Sequence, residues 1–304
     1  MLSRHTYNDV VWMDMENPDL GDIETVTKEF DLGPLIIEEL LTPTAKPRVD
    51  VYPDFVYAVL HFPALRYTHG LEVNHEIDII LGEKFIITAH YSTASATYDL
   101  ARAFEAASLL KRHVRGVNAS HVFLELIQRL YRAADDELDA LEEVIEDIEA
   151  NIFEGKEHAM VSAISFTNRE LLTHKRLLGS HREVLDALEK TTRTLFGEAY
   201  AHQVRGSSAL HYRTNHRALM MSDILVELRE TNMALLYTRQ NEIMKNLTIM
   251  AFVTFPLALI AGLFGMNTAF TPVVNHPQGF WIILGGMFTL TALFFLYFKL
   301  RRWF

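Results

Sequence analysis

Two long apolar runs close the chain. From Leu247 to Asn267, LTIMAFVTFPLALIAGLFGMN, no charged residue occurs, and from Phe280 the next charge is Lys299. About 20 apolar residues at a rise of about 1.5 Å each cross a hydrocarbon core about 30 Å thick. The pattern therefore predicts two membrane helices joined by a hairpin. Pro256, Gly262 and Gly265 lie in the first run, where bundled membrane helices tolerate them.

Upstream the pattern changes twice. Residues 1 to about 115 read as mixed α/β. Val10–Met15, Val49–Tyr52, Val56–Phe62, Leu71–Leu81 and Lys84–His90 are rich in β-branched and aromatic residues, with breaks at Pro53, Pro63 and Gly70. Asp22–Phe30, Pro34–Leu41 and Thr93–Val114 have helical spacing. After Pro63 no proline occurs until Pro256, so that span cannot be mostly loop. Val117–Phe153 and Glu157–Phe196 are expected as two long helices turning at Gly155. A third is expected from near Gly206 to Asn267, about 90 Å long, and a helix of that length needs packing partners.

One stripe of that helix stands out. Asn241, Met244, Ala251, Phe255, Ala258 and Gly262 recur at spacings of three, four or seven, so they share a face. Small and polar residues mixed with large ones suit helices crowding around an axis; an intramolecular seam would show the same spacing.

Charge and composition narrow the function. A net charge of −11 argues against a nucleic-acid partner, which calls for a basic patch, and suits a protein that attracts cations. Cysteine is absent, which excludes disulfides and thiolate metal sites. The first residues, MLSRHTYNDVVWMDM, lack the apolar core of a signal peptide, so the hairpin is expected to direct insertion. Arg239 and Lys245 precede the first run, Lys299, Arg301 and Arg302 follow the second, and 268–279 contains no Lys or Arg. The positive-inside rule then places both termini in the cytoplasm and the loop outside.

Candidate chemistry is sparse. A ring of Asn267 side chains would accept hydrogen bonds from the waters that Mg²⁺ sheds reluctantly; as a single residue, Asn267 would also cap a helix in a left-handed conformation. Asp135–Glu149 holds nine carboxylates and no base, either a solvated helix face or a store of cations. The 14 histidines are scattered, and neither a nucleophile elbow nor a Gly-rich phosphate loop occurs. No enzymatic activity and no resident cofactor are expected.

Gly265-Met266-Asn267 at the end of the first of two C-terminal membrane helices resembles the CorA family of divalent-cation channels. The resemblance extends through Asn241-Glu242-Ile243-Met244-Lys245 and Pro256–Asn267, through Pro34–Leu41 and Lys46-Pro47-Arg48-Val49, and through the closing Tyr297–Phe304. It implies an α+β cytoplasmic domain with very long helices and a two-helix C-terminal transmembrane hairpin, assembled as a homopentameric, funnel-shaped channel in the inner (plasma) membrane. The corresponding division is a cytoplasmic α/β domain 1–115, a helical hairpin 116–205, a stalk and pore helix 206–267, an external loop 268–279, and a second membrane helix with basic terminus 280–304.

The resemblance also implies residue roles. Gly265, Met266 and Asn267 form the selectivity filter for Mg²⁺, or for Co²⁺ or Ni²⁺. Met244, Leu247 and Phe255 match hydrophobic constrictions, with Asn241, Ala251 and Ala258 also lining the path; Ala258 stands where the family often has Thr. Lys299, Arg301 and Arg302 form a basic C-terminal ring. Cytoplasmic Mg²⁺ is sensed between subunits through an acid matched by Glu39, with Glu38 beside it, and a second acid whose position falls at Gly206. The external loop lacks the Met-Pro-Glu of many members. A zinc-transporting relative of the same architecture is the alternative, and a membrane-anchored sensor without a pore is a further one.

Overall fold

The computed structural model describes residues 1–7, 9–44, 46–63, 66, 75–91, 118–266, 273 and 276–301. They form two compact units, Met1–Asn232 and Met233–Phe304.

In the first unit, strands β1 (Leu2–Tyr7), β2 (Val10–Glu16), β3 (Arg48–Val51), β4 (Phe55–Phe62), β5 (His75–Gly82) and β6 (Phe85–His90) make a sheet in the order β1-β2-β6-β5-β4-β3. Neighbours run antiparallel except β2 and β6, which are parallel. Helices α1 (Leu20–Glu29) and α2 (Pro34–Leu41) connect β2 to β3. Asp19 caps α1, its carboxylate accepting from the Asp22 amide at 2.8 Å.

Strand alternation explains two cores. Tyr57, Val59, Ile80, Ile87, Ala89, Met13 and Met15 pack with Ile23 and Val26 of α1 and Ile36 and Leu40 of α2. The intervening Val56, Ala58, Leu60, Ile77, Ile79 and Leu81 are also buried and point to the opposite face. There the sheet meets α3 (Ala119–Phe153) and α4 (Glu157–Phe196). The Phe62 ring lies 5.3 Å from Tyr131 of α3 and 4.8 Å from His181 of α4. A sheet covered on both faces favours the nearly continuous apolar runs of β4 and β5.

α3 and α4 turn at Gly155, as the sequence predicts, and Gly155 has φ +91°, a left-handed conformation that suits glycine. The third helix, α5, runs Glu198–Gly265, 68 residues, so it starts at Glu198 and not near Gly206. The break is Gly197, also at φ +91°. Gly206 instead lies inside α5, where a Cβ would sit 3.0 Å from Leu124 Cδ1 of α3. The glycine there permits close packing rather than a helix start.

Residues 200–232 of α5 form a seam. Tyr200, Val204, Ser207, His211, Thr214, Ala218, Met221, Leu225, Leu228 and Asn232 are all buried and alternate spacings of four and three. The Tyr200 hydroxyl donates to Gly82 O at 2.7 Å, and His211 Nε2 donates to Leu178 O of α4 at 2.8 Å. Arg205 pairs with Glu189 of α4 at 2.8 Å. Arg213 pairs with Asp135 of α3 at 2.7 Å, and Arg217 with Asp139 and Glu142.

The second unit holds the remainder of α5 and α6 (Gly279–Leu300). The expected helix 93–114, the strand residues 71–74 and most of the loop 268–279 lie outside the described residues. β1 is an addition to the predicted elements.

Candidate functional site

The site is built from the membrane part of α5. Both α5 and α6 are long and apolar enough to cross a membrane. α5 continues through Pro256, although proline gives no amide to the fourth residue back. Thr248 and Thr254 donate to Met244 O and Met250 O at 2.7 and 2.8 Å, bonds that keep hydroxyls off the hydrocarbon.

The exposure of α5 is two-sided. Ile249 is buried, and Val253, Pro256, Leu257, Ile260 and Phe264 are half-buried; at about 100° per residue they share one face. α6 presents half-buried Ile283, Leu284, Met287, Leu290, Thr291 and Phe294 and buried Phe298. Asn241, Met244, Leu247, Phe255, Ala258 and Gly262 are exposed, with Phe255 at 72%, and Ala251 is half-buried. On the same count of about 100° per residue, the two faces of α5 lie about 180° apart. The stripe read from sequence is therefore the face that the hairpin leaves open. A Cβ at Gly262 or Gly265 would meet nothing within 4 Å among the described residues.

Gly265 closes α5, and the Met266 amide donates to Leu263 O at 3.4 Å. Asn267 and Arg302 lie outside the described residues. Lys299 and Arg301 are exposed near the end of α6, and the Arg301 guanidinium stands 5.9 Å from the Tyr297 ring centre. A cavity of about 380 Å³ between the two helices is lined by Phe252, Phe294, Tyr297, Phe298 and Arg301.

Several of the acids singled out in the sequence make ion pairs within the chain. Glu39 is half-buried and pairs with Arg48 at 2.8 Å; Arg48 also pairs with Asp50 at 2.8 Å. Glu38 is exposed. Of the acidic run, Asp135, Asp139 and Glu142 are paired by Arg213 and Arg217, bases too distant in sequence to be read against it. Among the described residues no three His, Asp or Glu side chains are grouped to hold a metal.

The interior carries further ionisable groups that sequence reasoning passed over. His181 is fully buried. Its Nε2 donates to His61 O at 2.8 Å, so Nδ1 accepts from the Tyr131 hydroxyl at 2.8 Å. Burial drives the imidazole pKa down to about 3. Asp78, 1% exposed on β5, has its Oδ2 3.0 Å from the Tyr57 hydroxyl oxygen and 3.0 Å from that of Tyr91. Burial, reinforced by the nearby Glu76 charge, raises its carboxyl to about 7.

A family described as CorA-like Mg²⁺ transporter protein matches residues 7–301. The chain belongs to the CorA family. It is 25% identical over 297 residues to the cobalt/magnesium transport protein CorA of Thermotoga maritima, covering 92% of this chain and 79% of that protein. The complete structure of the CorA magnesium transporter from Methanocaldococcus jannaschii superposes with a TM-score of 0.82 at 18% identity, covering 97% of this chain and 92% of that one. The ZntB cytoplasmic domain from Vibrio parahaemolyticus superposes at 0.60 with 14% identity, over 77% and 90%. The fold of this CorA-family chain is thus shared with full-length CorA, and the relatives are named as transport proteins.

Proposed function

We propose that the chain is one subunit of a homopentameric channel that passes hydrated Mg²⁺, with Co²⁺ and Ni²⁺ as further substrates, through a pore lined by α5. The observation that carries this is the open stripe opposite the hairpin-packed face. Apolar rings at Met244, Leu247 and Phe255 would gate by dewetting, and Asn241, Ala251 and Ala258 would line the path between them. Gly265, Met266 and Asn267 would form the ring that reads the hydration shell, because Mg²⁺ keeps its waters. The proposal seats the hairpin in the lipid of the plasma (inner) membrane with both termini in the cytoplasm, where Lys299, Arg301 and Arg302 meet the inner face. It assigns no enzymatic reaction and no nucleic-acid partner.

Regulation by cytoplasmic divalent cation belongs to the same proposal but gains less support at Glu39. That carboxylate already holds the Arg48 guanidinium, and a cation there would have to displace it. The fold shared with a ZntB cytoplasmic domain keeps Zn²⁺ among the ions to be tested.

Proteoliposome flux with Mg²⁺, Co²⁺ and Zn²⁺, together with the mass of the solubilised assembly, tests the reading. Asn267→Ala should sharply reduce flux while leaving a pentamer, because on this proposal it removes an oxygen ring from the ion path. Normal flux through Asn267→Ala would move selectivity elsewhere, and a conducting monomer or dimer would refute the shared pore.

A further inference from the structure

Asp78 lies where α2 ends against the sheet. Its Oδ2 is 3.0 Å from the Tyr57 hydroxyl oxygen and 3.0 Å from that of Tyr91. The Tyr91 oxygen is also 3.1 Å from Leu40 O. Leu40 is in the last turn of α2, so its carbonyl has no partner within the helix. These are three oxygen–oxygen contacts, yet the two phenols supply one hydrogen each. With Asp78 ionised, one contact has no hydrogen and sets two lone pairs against each other. A proton on Asp78 Oδ2 completes the set: Oδ2–H donates to Tyr91, Tyr91 donates to Leu40 O, and Tyr57 donates to Oδ2. Asp78 Oδ1 is buried with no hydrogen-bond partner among the described residues, a poor place for half a negative charge.

We propose that Asp78 is a proton-binding site that fastens the C-terminal end of α2 to the sheet through Tyr91, and that loss of the proton opens the Tyr91–Leu40 link. The groups around it bear this out. On its own strand Glu76 adds negative charge and favours the proton. From β4, Tyr57 and His61 face it; from the end of β6, Tyr91. From β3, Arg48 stands 5.5 Å from the Tyr57 ring centre, and from α2, Glu39 pairs with that arginine. Hydrogen bonds from Tyr57 and Tyr91 and the charge on His61 favour the ionised form, but burial outweighs them and the carboxyl is raised from 3.8 to about 7. The sign follows for an acid raised by folding: the fastening is complete below the ordinary carboxyl pKa and is lost as pH rises through about 7. Glu76 and His61 hold the next stretch, Glu76 accepting from the Thr44 amide at 2.6 Å and His61 Nε2 donating to Thr44 O at 2.8 Å.

The test is hydrogen exchange of α2 amides in the full-length protein, corrected for intrinsic rate, from pH 5 to pH 8. Protection in the parent should fall about tenfold per pH unit up to pH 7 and level off above it. Asp78→Asn, which stays neutral, should lose that slope. Tyr91→Phe, which cuts the link, should hold α2 near the parent's pH 8 value even at pH 5. An infrared carboxylic-acid band that disappears as pH passes about 7 gives a second reading on the unmutated protein, whether or not the variants fold. A flat parent profile, a parent-like slope in Asp78→Asn, or the absence of that band overturns the proposal.

Discussion

Acidifying from pH 8 to pH 5 brings opposite consequences from two buried groups, Asp78, which takes a proton in the folded chain, and His181, which takes one only when the chain unfolds. His181 has a folded pKa of about 3 against an ordinary 6.5. A base depressed by folding contributes stability above its unfolded pKa and loses it as pH falls, because the unfolded chain takes the proton first. At pH 5 the loss is set by the 1.5-unit gap below 6.5, about 2 kcal/mol at 1.36 kcal/mol per unit. Asp78 works the other way. Its folded pKa of about 7 against 3.8 means the folded chain takes the proton first, a gain of about 2.7 kcal/mol at pH 5. For unfolding that exposes both groups the two nearly cancel, so the parent's global profile hides both, whereas α2 amides that open locally report Asp78 alone. Single variants uncouple them. His181→Gln should make the sheet and α4 more stable at pH 5, relative to pH 8, by about 2 kcal/mol compared with the parent; Asp78→Asn should make them less stable by a similar amount. Exchange rates of the deepest β4 and α4 amides at both pH values supply the double difference. The reasoning fails if both variants shift the profile in the same direction or if neither departs from the parent.

Three further outcomes follow from the packing. Leu225→Ala, 1% exposed on the α5 seam, should cost about 2–5 kcal/mol, while Ile224→Ala, 45% exposed, should cost little in a dissociated subunit; thermal melts of both in assembled and dissociated protein separate a seam contact from one between subunits. Arg217→Gln should cost less than about 1 kcal/mol, since its partners Asp139 and Glu142 are 62% and 51% exposed, and a larger loss in the same melts would refute that solvent-screened view. Gly206→Asp and Gly206→Asn should strain Leu124 equally; Mg²⁺ protection against proteolysis that differs between them would locate a cation sensor at 206, and equal protection would exclude one.

The sequence made the large features legible where a physical constraint repeats. A proline-free stretch with sparse glycine could not be mostly loop, and charge-free runs of membrane length could only be α5 and α6. It misled where one residue type serves two purposes. Gly206 resembles a helix boundary, but its missing Cβ admits Leu124, and the boundary needed the left-handed Gly197 instead. β1 was invisible because Leu2–Tyr7 is an edge strand with one neighbour and carries few of the alternating apolar residues that a strand between two others needs. The α5 seam hid behind Ser207, His211, Thr214 and Asn232, polar residues in core positions. The open stripe was legible residue by residue, yet only the burial of Ile249 and its opposite face distinguishes a surface awaiting partners from a seam within the chain. The Asp78 site depends on Tyr57, Tyr91 and Leu40, which meet through strand pairing and the docking of α2 on the sheet, neither of which local spacing encodes.

The alternation of four and three along residues 200–232 has a mechanical consequence. A repeat of about 3.5 on a helix of about 3.6 residues per turn drifts about 20° per heptad, so a straight α5 would carry Asn232 far off the line begun at Tyr200. A repeat of this period favours a left-handed winding of α5 along the helices it meets, α4 at His211 and α3 at Arg213, as one strand of a short rope. A rope of this kind has a length quantum. Removing one residue between His211 and Thr214 would turn every later layer by about 100°, bringing Asn215 and Arg229 to the seam in place of Thr214 and Leu228 and pulling Arg217 from Asp139. Removing seven would restore the layers, so length changes in this stretch should survive only in whole heptads.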